Sequence, residues 1–81
     1  MATPDIGAWV ADLARDLVDH PEAVGVTSFE EDGVMVFELS VDSSELGRVI
    51  GRQGRTVQAL RTLLEAAGAR HGAYYELEIV E

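Results

Sequence analysis

Cysteine and lysine are both missing from this chain of 81 residues, and proline occurs only twice. Without cysteine there is no disulfide and no thiolate metal site. Two isolated histidines, His20 and His71, do not make a histidine-based site either, so neither a metal nor any other cofactor is expected. Long hydrophobic runs are missing too: nothing approaches the roughly 20 apolar residues of a membrane span. The opening "MATPDIGAWV" lacks the basic segment that begins a signal peptide, and the expectation is a cytoplasmic protein. Aromatics are few, at 6%, and none lies between Leu46 and Leu64. No nucleophile–base arrangement is visible, and Asp42 and Glu45 are accounted for as helix caps, so no enzymatic activity is expected.

What is present is an ordinary globular composition, 47% hydrophobic and 26% charged. At this length the chain is one domain, 1–81, with an N-terminal amphipathic helix over 1–22 and the remainder over 23–81. Fifteen acids against six arginines give a formal charge of -9. The charge is unevenly spread. Arg48, Arg52, Arg55 and Arg61 fall between Leu46 and Leu64, a window with no acid, which therefore carries +4; the two remaining arginines and all fifteen acids leave -13 elsewhere. Fields decay over roughly 8 Å at physiological ionic strength, so a ligand senses the local patch more than the total.

The periodicities order the chain. Thr3 and Pro4 suit an N-cap and a first helical position. Ile6, Trp9, Val10, Leu13, Leu17 and Val18 then recur at helical spacing up to His20–Pro21, with Trp9 expected in the core or at an interface. Val24 to Glu31 reads as a strand, Asp32–Gly33 as a two-residue hairpin turn, and Val34 to Val41 as the return strand with Met35, Phe37, Leu39 and Val41 on one face. Asp42 with Glu45 three residues later is a capping-box variant opening a second, short helix with Leu46, Val49 and Ile50 inward. A third helix begins near Arg55, carries Val57, Leu60, Leu64 and Ala67 inward, and closes at Gly68 or Gly72. Tyr75, Leu77 and Ile79 alternate with Glu76 and Glu78 in a final strand. Three helices and three strands with apolar faces predict a two-layer α+β sandwich.

The two central helices are separated only by Gly51–Arg52–Gln53–Gly54. Glycines at both ends let the backbone turn tightly and approach a ligand, and the first amides of the following helix sit at the positive end of its dipole. A P-loop is excluded, since Val49 stands where its first glycine belongs and Arg55 replaces its lysine; a dinucleotide fingerprint is excluded because the turn follows a helix, not a strand. Glycines alone would equally suit a helix C-cap and turn. Close backbone access and free amides, with Arg52 in the turn and Arg48 and Arg55 flanking it, suit a phosphate chain lying across the turn.

Val49–Ile50–Gly51–Arg52–Gln53–Gly54–Arg55–Thr56–Val57 resembles the signature of KH domains, which grip single-stranded nucleic acid at a G-x-x-G loop. The order of elements resembles the type II (prokaryotic) KH arrangement, α-β-β-α-α-β with three helices on one face of a three-stranded sheet. With its length, the chain is similar to the KhpA family of small bacterial RNA-binding proteins with a single KH domain. That resemblance implies backbone contacts from Gly51, Arg52, Gln53 and Gly54, and phosphate contacts from Arg48, Arg55 and Arg61. It also implies an apolar floor from Val49 and Ile50, with Thr56 beside it and Val57 and Leu39 or Val41 opposite. Arg61 has a plainer alternative, an ion pair with Glu65 at i+4. Many relatives carry lysine in the loop, whereas here Arg52 is followed by neutral Gln53. No aromatic flanks the loop, so stacking of the RRM kind is not indicated. The implied partners are single-stranded RNA, a KhpB (Jag-like) KH protein and a second copy in a homodimer. The implied role is post-transcriptional regulation linked to cell shape or division. A KH fold used for protein interaction or ribosome assembly is the alternative.

Overall fold

A computed structural model describes residues 5–80. The cap expected at Thr3 and Pro4 lies outside them; within them Asp5 is the N-cap of helix α1 (Ile6–Arg15), its carboxylate accepting from the Ala8 amide at 3.0 Å. The helix is shorter than the 1–22 segment and the hydrophobic spacing predict. Asp16 caps it, Leu17 is exposed, and a single 3₁₀ turn (Pro21–Ala23) leads out. The reason lies far along the chain, because the amides of Asp19 and His20 are both bonded to Glu45 and cannot continue a helix.

Strand β1 (Gly25–Glu31) and strand β2 (Val34–Ser40) form the expected antiparallel hairpin around Asp32–Gly33. A 3₁₀ turn (Ser43–Glu45) precedes helix α2 (Leu46–Ile50). Helix α3 (Arg55–His71) is closed by Gly72, and strand β3 (Tyr74–Val80) ends the described chain. The sheet order is β1-β2-β3, with β3 parallel to β2 and Tyr74 beside Val34. At about 1.5 Å per residue, 17 residues of α3 span about 25 Å. That matches the length of a seven-residue strand at about 3.3 Å per residue, so α3 carries the chain back to the start of β2.

Helix α1 lies over β1, α3 lies over β3, and α2 packs against α3. Between helices and sheet sits one core built from Val10, Ala14, Phe37, Leu39, Val49, Leu60, Leu64 and Leu77, among others. Phe37 and Tyr75 meet edge to face with centroids 5.6 Å apart. One residue departs from simple alternation: Val36, on the far side of the sheet, is only 3% exposed. Its strand is central, and its cross-strand partners are Phe29 and Glu76, which flank it on both sides. No helix among the described residues is long and apolar enough to cross a membrane.

Candidate nucleic-acid interface

Between α2 and α3 the chain turns in four residues. Asp42 accepts from the Ser44 amide (3.0 Å) and hydroxyl (2.7 Å), and these bonds hold its carboxyl below the usual range. The last helical bond of α2 runs from the Gly51 amide to the Gly47 carbonyl at 2.8 Å. Gly51 then leaves the helix at φ 79, ψ 168, a region that essentially only glycine occupies. A Cβ there would lie 2.7 Å from that of Thr56 and 2.8 Å from the Thr56 amide nitrogen. Thr56 thus packs beneath the turn, half-buried, and fills the space that glycine leaves.

Gln53 (φ 57, ψ 26) and Gly54 (φ 72, ψ 14) are consecutive left-handed residues. For Gln53 this conformation costs about 1–2 kcal/mol. Its side chain is not idle, since the Arg55 guanidinium donates to its Oε1 at 3.1 Å. Gly54 is the N-cap of α3 and no side chain among the described residues caps the helix there. A Cβ on Gly54 would meet nothing within 4 Å, so the turn presents open space on that side.

The four arginines of the acid-free window are not equivalent. Arg52 is exposed and has no hydrogen-bond or ion-pair partner among the described residues. Arg55 is exposed beside it, steadied by Gln53. Arg48, one turn before Gly51, forms a two-point pair with Asp19 at 3.1 Å through each of two guanidinium nitrogens. Arg61 lies on α3, with its guanidinium directed at the Leu77 carbonyl of β3 (3.4 and 3.5 Å) and not bonded to Glu65. Of the two aliphatics, Val49 is fully buried and only Ile50, 40% exposed, offers surface beside the turn. Val57, Leu39 and Val41 are all core.

Two further residues bear on this region. Glu45 has a near neighbour in His20, whose Nδ1 lies 2.7 Å from Glu45 Oε1, and that oxygen also accepts the His20 amide at 2.9 Å. The Asp19 amide donates to the other carboxylate oxygen. Glu45 is 4% exposed, the one buried charged side chain among the described residues. Burial alone would raise its pKa, but the Asp19 amide and the His20 ring and amide together hold it below the usual range. The hydrogen bond to Glu45 and its charge raise that of His20. The capping-box reading of Glu45 is therefore corrected: Asp42 caps the turn, while Glu45 reaches back to the α1–β1 link. Sequence offered no signal for this, because the partners are 25 and 26 positions away. His71, in the last turn of α3, faces the Tyr75 hydroxyl at 3.3 Å.

The sequence pattern described as "KhpA/KhpB, KH domain" matches residues 8–79. The RNA-binding protein KhpA of Listeria monocytogenes is 43% identical over 72 residues, spanning 89% of this chain and 95% of that protein. Its namesake from Aquifex aeolicus is 50% identical over 68 residues, 84% of this chain and 86% of that protein. In Chlamydia pneumoniae the KhpA protein is 37% identical over 73 residues, 90% and 94% respectively. Era of Aquifex aeolicus, solved with GDP and AlF4-, superposes on 96% of this chain with a TM-score of 0.60 at 16% identity. This chain spans 31% of that one, and the likeness is one of fold alone.

Proposed function

The chain belongs to the KhpA/KhpB KH-domain family, and from that premise we propose that it binds single-stranded RNA with low sequence specificity through the Gly51–Gly54 turn. The observation that carries the proposal is the conjunction at that turn of an unhindered backbone, an α3 terminus that no side chain among the described residues caps, and Arg52, which has no partner among them. A KH loop clamps about four backbone nucleotides. Gly51 and Gly54 admit the phosphate chain, Arg52 and Arg55 neutralise it, and Ile50 offers an apolar floor beside it. The role is binding, without chemistry on the RNA. Because one KH unit reaches few nucleotides, useful affinity comes from a second unit, either another copy of this chain or a KhpB-like KH protein in the same cytoplasm. The setting proposed is post-transcriptional regulation connected to cell shape or division.

Binding to a short fluorescent single-stranded RNA tests this across a salt series. With two phosphates neutralised, log K should fall against log salt with a slope of about -1.4, at about 0.7 per phosphate on a single strand. Gly54→Asp sets a carboxylate against the phosphate path and should weaken binding about tenfold or more. Gly33→Asp, in the hairpin turn, should leave it unchanged. Equal binding by wild type and Gly54→Asp would sink the proposal.

An alternative reading as a protein-interaction module draws support from the uncovered sheet face, where Phe29 and Tyr74 are exposed among Glu31, Glu38, Glu76 and Glu78. Size measurement with and without a KhpB-like protein separates the two: a shift that persists in Gly54→Asp while RNA is ignored favours interaction.

A further inference from the structure

Helix α2 has only five residues and cannot hold itself in place, since an isolated helix this short is unstable in water. Something must fix the direction in which it delivers Gly51. Val49 anchors it below, fully buried. On another side, Glu45 and Arg48 are three positions apart, one turn of chain, and reach one short stretch of the α1–β1 link, Glu45 both Asp19 and His20, Arg48 Asp19 alone. Glu45 takes the Asp19 amide, the His20 amide and the His20 ring; Arg48 takes the Asp19 carboxylate. Each of Asp19 and His20 is thereby held at two points, once through its backbone and once through its side chain.

We infer that Glu45, His20, Asp19 and Arg48 form a latch that sets the orientation of α2 and hence of the Gly51–Gly54 turn, making Glu45 and Asp19 positioning residues for RNA binding. The inference rests on the RNA-binding reading above. It explains why a carboxylate is buried next to a surface that is to meet phosphate, where a bare negative charge would oppose binding. It also gives Arg48 a different task from Arg52, since its fork is already occupied by Asp19. The latch titrates. His20 is faced by Glu45, with Asp42 and Glu22 adding to the same field, and Arg48 lies across Asp19 from it. Loss of the His20 proton weakens the Glu45 tie, so the turn becomes less well held as the solution turns alkaline.

The test relies on a sign. Asp19→Asn and Glu45→Gln each remove a negative charge near the RNA path, and electrostatics alone makes both variants bind RNA more tightly. The latch makes both bind more weakly, by about fivefold. Affinity for a short single-stranded RNA is measured for both at constant salt, with thermal unfolding showing that each is folded. If Glu45→Gln fails to fold, Asp19→Asn, at an exposed site, carries the comparison. Wild-type affinity should also fall as pH rises through the titration of His20, and the fall should flatten in Glu45→Gln. Unchanged or tighter binding by a folded variant overturns the inference. The amide resonances of Gly51 to Arg55 in the RNA-free protein provide an independent readout. They should move with His20 titration and in Asp19→Asn, and their indifference to both overturns the latch. Should the wild type bind no RNA while these resonances follow His20, the latch stands and the RNA reading falls.

Discussion

Two turns in this molecule place two consecutive residues, the second a glycine, at positive φ. Asp32 and Gly33 sit at φ 52 and 82, and Gln53 and Gly54 at φ 57 and 72. In both, a Cβ on the glycine would meet nothing within 4 Å. Yet one joins two strands of an antiparallel hairpin beside Glu30 and Glu31, and the other opens a 17-residue helix among arginines. The first is a type I′ turn, whose twist suits the strands it joins. The second uses positive φ differently: consecutive left-handed residues bring the chain to the start of α3, where no side chain among the described residues caps the helix, directly after exposed Arg52. A tight glycine turn is therefore not a phosphate site by virtue of its shape. The element it leads into, and the charge around it, decide.

The contrast can be broken most forcefully at Gly51, which has no counterpart in the hairpin. Gly51→Ala meets both a backbone region reserved for glycine and the packed Thr56, and should cost about 3 kcal/mol, or about 15 °C in melting temperature for a domain of this size. Gly33→Ala, with open space around it, should cost about 1 kcal/mol. Equal melting temperatures for the two would show that Thr56 yields easily. A smaller effect sharpens the comparison at the residues before the two glycines. Asparagine and aspartate tolerate the left-handed region better than glutamine does. Gln53→Asn should therefore stabilise the protein by about 0.5 kcal/mol, and Asp32→Gln should destabilise it by a similar amount. Chemical denaturation reads both.

The smallest effect is in pH, and it belongs to the helix-joining turn alone. His20 is raised in the folded state, so its contribution is complete below its unfolded value of about 6.5 and is lost as pH rises through the folded value. Glu45 is lowered, so its contribution is complete above about 4.3 and is lost as pH falls through its folded value. Stability from this pair should peak between the two and decline on either side. A series of thermal melts across that range checks it, and Glu45→Gln should remove the alkaline decline.

Much of the molecule was legible in order. The hairpin, the short second helix and the last strand fall where periodicity and turn residues put them, because alternation and helical spacing are local. The reading of α1 as a helix past Leu17 failed for a non-local reason: apolar residues at Leu17 and Val18 kept the helical rhythm, but Glu45 holds the next two amides. At the candidate site the glycines, Arg52 and Arg55 were visible in the chain as neighbours. The engagement of Arg48 by Asp19 and of Arg61 by the Leu77 carbonyl was not, since nothing in the spacing of either arginine marks its partner.

The amino-acid sequence by itself determined the element order, the glycine pair, and a cluster of arginines in an acid-free stretch. These depend on neighbours within a turn or two, where backbone preference and side-chain spacing act directly. Only the tertiary structure decided that β3 lies parallel to β2, that Val36 is shielded from both sides, and that a buried glutamate ties α1's exit to the helix carrying the turn. Each of those joins residues far apart in the chain, and such contacts exist only once packing has brought their elements together.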